Sequence, residues 1–304
     1  MRAILSTALR ELAQQPDFVF LTGDLGFMAL EPVRQAAGER FINAGVAEQN
    51  MVTVAAGLAR SGFQPWVYSI APFLYARPFE QIRNDVCLHN LPVFLVGNGG
   101  GYAYGVMGAT HHALEDYGAL LTLPNLTAYV PAFAEDVAQA ISRMRAAGRP
   151  AYLRLGRDEK PKELRLPAYA PWRNVLAGGG SVMVIVGPLA GSLLQMLLAQ
   201  PEESRPSVWV LTELPVRAET LPTRFLEQLR AREHLFVVEE HVAQGGAAQM
   251  LAMALLERGA APRKFSRRCA IGYPSGLYGS QRYHRRECGL DPEGIATALL
   301  EDAR

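Results

Sequence analysis

Short apolar runs alternate with helix-period segments along the whole chain, and this alternation limits the possible folds more than any other feature. FVFLTGD (residues 18–24) precedes a predicted helix from Val46 to Gly62, which is followed by PWVYSI. A helical stretch around PFEQIRNDVCLHN then leads to PVFLVG (92–97) and a glycine-rich loop. LTAYV, the helix-forming EDVAQAISRMRAAG and AYLRL complete the first half. Strands that alternate with helices imply mostly parallel sheets, because a parallel pair needs a crossover long enough to hold a helix.

The pattern dissolves in DEKPKELRLPAYAPW, which is charged and proline-rich, and restarts with SVMVIVG, SLLQMLLAQ, SVWVL, TRFLEQL, HLFVVEE and GGAAQMLAMALLERG. The expectation is an α/β protein of two domains: residues 1–160, a linker over 161–175, and a smaller α/β domain over 176–304. A chain of 304 residues agrees with two domains.

Composition removes several function classes. The net charge is +1 with no basic block, so a nucleic-acid partner is not expected. The three cysteines, Cys87, Cys269 and Cys288, are widely spaced and follow no metal-binding pattern, as expected of reduced thiols. The opening MRAILSTALRELAQQ is amphipathic rather than signal-like, and no apolar run approaches the roughly 20 residues of a membrane span. A soluble cytoplasmic protein is expected, with no membrane partner.

Within this frame one carboxylate is out of place. Glu48 opens a segment, Val46 to Gly62, made mostly of Val, Ala, Leu and Met. A helix of that composition is buried on most sides, and a buried carboxylate is costly unless something bonds to it. Glu48 is therefore either a solvent-facing helix start or a group required in a cleft.

The other candidates each admit a structural reading. The cluster NGGGYAYGVMG lacks a dinucleotide fingerprint, since the third glycine position falls on Tyr102 or Tyr104. Its glycines fit close backbone approach to a ligand or another chain, with Tyr102, Tyr104 and Met107 projecting from the loop. Thr110-His111-His112 closes that loop, and either a structural pair or a proton-transferring histidine fits it. No metal site is expected there. Glu239-Glu240-His241 ends a strand and reads first as a polar terminus with a helix cap. Asp24 stands in LTGDLGF, which lacks the last glycine of Gly-Asp-Gly and the asparagine pair of a metal-diphosphate site.

In sequence order, RFINAGVAEQNMVTVAAGLA, YSIAPFLYARPFEQIRNDV and LPVFLVGNGGGYAYGVMGATHHALEDYGALLTLPNLTAYVPAFAEDV resemble the pyrimidine-binding domain of the thiamine-diphosphate-dependent transketolase family. VVEEHVAQGGAAQ, YGSQ and GLDPEGIATALLE resemble that family's C-terminal domain. The resemblance covers nearly the whole chain and implies the C-terminal subunit of a split enzyme. It implies that Glu48 bonds to N1′ of the cofactor's aminopyrimidine and favours the imino tautomer, whose nitrogen removes the thiazolium C2 proton. It further implies that Phe73 stacks on the pyrimidine, with Ile70 and Tyr75 near the same pocket. His111 would face the reacting carbon and Arg157 would lie near a sugar phosphate. His112, Tyr102, Tyr104 and Met107 are further substrate-contact candidates.

The departures concern the substrate. Phosphosugar transketolases carry a histidine and an aspartate where this chain has Gly99 and Met107, and a loop without those polar groups discriminates less by hydrogen bonding. The resemblance implies a ketol transfer from a ketose donor to an aldehyde or acyl acceptor. It implies thiamine diphosphate with Mg2+ held by an N-terminal partner subunit, in an α2β2 assembly with self-association across a dimer axis. A two-oxoacid dehydrogenase β subunit and a non-catalytic subunit of the same fold are the alternatives.

Overall fold

The apolar runs become strands, and the helix-period segments cross over between them. The computed structural model describes residues 1–157 and 159–302. Among these residues the strands are β1 (Phe18–Thr22), β2 (Phe41–Asn43), β3 (Gln64–Ile70), β4 (Phe94–Asn98), β5 (Thr127–Tyr129) and β6 (Ala151–Leu155). They continue with β7 (Trp172–Leu176), β8 (Val182–Val186), β9 (Ser207–Leu211), β10 (Glu213–Leu214), β11 (His234–Glu239) and β12 (Lys264–Arg268).

Two sheets result, in the orders β10-β5-β6-β4-β3-β1-β2 and β12-β11-β8-β9-β7. The pairings are parallel except at the edges, where β10 runs antiparallel to β5 and β7 antiparallel to β9. The α/β class with mostly parallel sheets is therefore observed. The segment expected as linker is irregular only as far as Pro171, and its last residues form β7. A second departure is β10. It comes from the second half of the chain yet completes the first sheet, with Glu213 opposite Tyr129 and Leu214 opposite Ala128.

The helix Glu48–Arg60 shows how periodicity places the core. Its buried residues are Glu48, Met51, Val52, Ala55, Ala56 and Ala59, a single stripe at helical spacing. The stretch expected as one helix around residues 78–90 is divided instead: Ala71–Tyr75 and Phe79–Gln81 flank Pro78, and a π-helical turn follows at Ile82–Cys87. One apolar cluster joins the inner faces of both sheets, taking Val67, Leu95 and Tyr152 from the first and Val184, Trp209 and Leu235 from the second. The outer faces hold separate clusters. No helix among the described residues is long and apolar enough to cross a membrane.

Buried polar groups tie the halves together. Arg154 on β6 donates to Asp116 Oδ2 at 2.8 Å and to the carbonyl oxygens of Ala113 and Glu240 at 2.8 and 2.9 Å. Glu240 in turn accepts from the Tyr102 amide at 2.7 Å and from Arg285. Glu239 accepts from Tyr117 and from the amides of Ala247 and Ala248, so it caps the helix Ala247–Glu257. The His241 ring stacks on Tyr117 with centroids 3.9 Å apart. Its Nδ1 donates to the Val242 carbonyl oxygen, and Nε2 accepts from the Gly118 amide. The run Glu239-Glu240-His241 is thus a seam between the two halves of the chain.

Burial lowers the His241 pKa from 6.5 to about 4. A histidine held below its unfolded value contributes stability that is complete above pH 6.5 and is lost as pH falls from there toward 4. The urea midpoint of the protein should fall between about pH 7.5 and about pH 4.5, and His241→Gln should flatten that slope. An unchanged slope in the variant would remove His241 from the account.

Candidate active site

The first sheet delivers its chemistry at one end. Loops 23–30, 44–47, 71–78 and 99–115 all leave the C-terminal ends of parallel strands β1, β2, β3 and β4, where open α/β sheets form their ligand crevices.

Glu48 starts its helix at this end and is 5% exposed. Its side chain makes no capping bond, so the helix-start reading does not explain it. Instead Oε1 accepts from Arg77 Nη1 at 2.8 Å. The same guanidinium lies over the Phe73 ring, its Cζ 3.9 Å from the centroid. Phe73 sits in the short helix Ala71–Tyr75, and Arg77 follows four residues later. Phe73 also meets His111 in an edge-to-face contact with ring centroids 5.1 Å apart, and His111 meets Tyr104 at 5.9 Å. Glu48, Arg77, Phe73, His111 and Tyr104 therefore form one continuous group drawn from three loops.

His111 is half-buried, and its Nδ1 lies 2.9 Å from Thr110 Oγ1, which leaves Nε2 for another partner. Behind it the second half of the chain braces the loop. His112 is buried, with Nε2 2.8 Å from the Gly105 carbonyl oxygen and Nδ1 2.8 Å from the Tyr273 hydroxyl. A carbonyl only accepts, so Nε2 carries the hydrogen and Nδ1 accepts from the tyrosine. Burial lowers the His112 pKa and favours this neutral form.

Gly99 explains how Tyr104 is seated. It has φ +80°, and a Cβ there would run into the Tyr104 ring. Asn98 Nδ2 donates to the Tyr104 hydroxyl at 2.7 Å. The space a larger residue at 99 would need is filled by an aromatic ring. Gly100 and Gly101 likewise admit Arg154 and Glu240. The close approach these glycines permit is to the protein's own side chains.

The remaining predicted residues fall elsewhere. Tyr102 does not project from the loop: it is fully buried, donates to the Gly272 carbonyl oxygen at 2.7 Å and stacks on His284. His112, described above, is also internal. Neither offers a substrate an open polar atom. Tyr75 is half-buried and donates to Glu115 Oε2 at 3.1 Å, and Ile70 is the half-buried last residue of β3. Met107 is exposed on the loop, and exposed Arg157 lies beyond β6, outside the continuous group. Asp24 is exposed and accepts from Asn43 Nδ2 at 3.1 Å. Sequence reasoning missed Arg77. The signal was present, because a buried acid needs a cation and Arg77 stands one helical turn beyond Phe73.

The comparisons with known proteins decide the family. A family described as the transketolase pyrimidine-binding domain matches residues 1–162. The chain belongs to the transketolase family. The B component of apulose-4-phosphate transketolase from Actinobacillus succinogenes is 30% identical over 266 residues, 86% of this chain and 84% of that protein. The component of the same name from Phocaeicola vulgatus is 29% identical and covers 99% of this chain and 96% of its own. 1-Deoxy-D-xylulose-5-phosphate synthase of Magnetococcus marinus is 33% identical over 86% of this chain, which spans only 42% of that enzyme. Among solved structures, a split-gene transketolase described as an inactive β4 tetramer superposes with a TM-score of 0.81 at 28% identity, covering 99% of this chain and 96% of that one. The chain is thus a transketolase-like subunit of the split, C-terminal kind.

Gly99→Ala should displace Tyr104 and cost roughly 1–3 kcal/mol, since a side chain would be placed in the left-handed region against a ring. Adding Tyr104→Ala should recover the steric share but not the backbone share. Denaturation of both variants checks this; equal losses would show that Tyr104 is not the obstacle.

Proposed function

We propose that this chain is one subunit of a two-component transketolase-like enzyme that moves a two-carbon ketol unit from a ketose to an aldehyde or acyl acceptor. The observation that carries the reading is the continuous group of Glu48, Phe73 and His111: a nearly inaccessible carboxylate beside an aromatic face, with a histidine across from it. A flat aminopyrimidine fits that pair, stacking on Phe73 while its ring nitrogen meets Glu48. Thiamine diphosphate, when bound, supplies the carbon nucleophile that cleaves and remakes the bond beside a ketone.

Glu48 holds or releases a proton at the pyrimidine ring nitrogen, and its burial keeps water from weakening that coupling. Phe73 fixes the plane of the ring. His111 directs Nε2 at the developing alkoxide of the substrate and moves a proton there, while Thr110 orients the imidazole through Nδ1. Tyr104, its hydroxyl taken by Asn98, gives the site beside His111 an aromatic wall with few open hydrogen-bonding groups. This favours an acceptor less polar than a pentose phosphate, or one delivered on a carrier. The split relatives are named for apulose-4-phosphate, which makes that sugar phosphate the first donor to test.

The diphosphate and Mg2+ belong in this reading to an N-terminal partner subunit, in an α2β2 assembly. Exposed apolar side chains on the loops that carry the site support a covering chain: Phe27, Met28, Val46, Val106 and Met107. The inactive β4 form of the solved split relative fits a β subunit that needs its partner.

In the reconstituted complex, Glu48→Gln should lower turnover by about 10²–10⁴-fold without loss of folding. Turnover within a few-fold of the parent would point to a non-catalytic subunit. Ketose and two-oxoacid donors should be tested in parallel, and activity only with the latter would replace ketol transfer by two-oxoacid chemistry.

A further inference from the structure

We infer that Arg77 is a resident occupant of the pyrimidine seat and sets cofactor affinity by competing for it. The inference rests on the reading of Glu48 and Phe73 given above. Both contacts assigned there to the aminopyrimidine are made in this chain by one guanidinium, which donates to Glu48 Oε1 at 2.8 Å and lies 3.9 Å above the Phe73 centroid. A guanidinium and an aminopyrimidine share the features these contacts select: planarity, delocalisation and N–H donors at the edge.

The two members of the ion pair differ in freedom. The Glu48 side chain is 5% exposed and the Arg77 side chain 48% exposed. Glu48 is too buried to turn to solvent and is costly to leave without a partner, because an unpaired buried carboxylate is poorly solvated. Arg77 can leave into water without repacking its neighbours, and among the described residues its hydrogen bonds go only to Glu48. Exchange is therefore a substitution at Glu48: the pyrimidine takes the place the guanidinium leaves, and the carboxylate is without a partner only in the minor open state. The apparent dissociation constant is then the intrinsic one divided by the fraction of subunits in which Arg77 has left the seat.

The test is calorimetric titration of thiamine diphosphate with Mg2+ into the complex of this chain with its N-terminal subunit. Arg77→Met keeps the stem and removes the competitor, so binding should tighten by about tenfold, the factor expected if the seat is open one-tenth of the time. Arg77→Lys keeps the charge without the planar fork and should tighten binding by about two- to threefold. It decides the matter if the methionine variant does not fold. The cofactor-free methionine variant should also melt earlier than the parent, with the deficit closed by the cofactor. If both variants bind equally or more weakly than the parent while Glu48→Gln weakens binding, Arg77 orients Glu48 and the competition is refuted. If the parent complex does not bind, or binds equally after Glu48→Gln, the assignment of the seat itself fails and the inference with it.

Discussion

Arg154 is the point on which the two sheets and the site loop jointly depend. A guanidinium 3% exposed tolerates burial only when its donors are used, and here they reach Asp116, Ala113 and Glu240. Those three partners belong to the helix after the His111 loop, to the loop itself and to the end of β11 in the other sheet. Glu240 extends the network to Tyr102 and Arg285, and Asp116 extends it to Tyr152. One side chain on a central strand thus fixes how the second half of the chain braces the loop bearing His111.

The division of labour follows from this. The ends of β1, β2, β3 and β4 present the groups that would meet a ligand, and the second sheet contributes rigidity. His112 illustrates the point: it neighbours a candidate catalytic histidine, yet its imidazole is fully engaged by Gly105 and Tyr273. Adjacent histidines on one loop therefore face opposite directions in function. One is open to a partner, and the other holds the loop that aims the first.

Much of the fold was legible because its signals are local. Alternating apolar runs and helical segments encode a parallel sheet in short windows, and the stripe from Glu48 to Ala59 encodes which helix face is buried. Glu48 itself stood out because a lone acid in apolar surroundings breaks a local rule. What was hidden depends on long-range pairing. Nothing near Glu213 and Leu214 announces a strand, since a two-residue edge takes its identity from its partner β5. Tyr102 looked like a loop residue because glycines surround it, but those glycines serve Tyr104, Arg154 and Glu240, and Tyr102 fills the seam they open. Arg77 could be found only by asking what neutralises Glu48, a question about contacts across 29 positions.

The two-residue strand β10 has a consequence for how such a chain could be divided. The first sheet is not closed by the first half of the polypeptide. A cut anywhere in the irregular stretch before Pro171 would leave β5 as a bare edge, with its amides and carbonyls turned toward solvent, and would strand its mate on the other fragment. The two pieces could satisfy that edge only by finding each other again, or by borrowing an edge from a second molecule. In mechanical terms the halves are buttoned as well as packed, so that relative sliding of the sheets must first undo a backbone pairing.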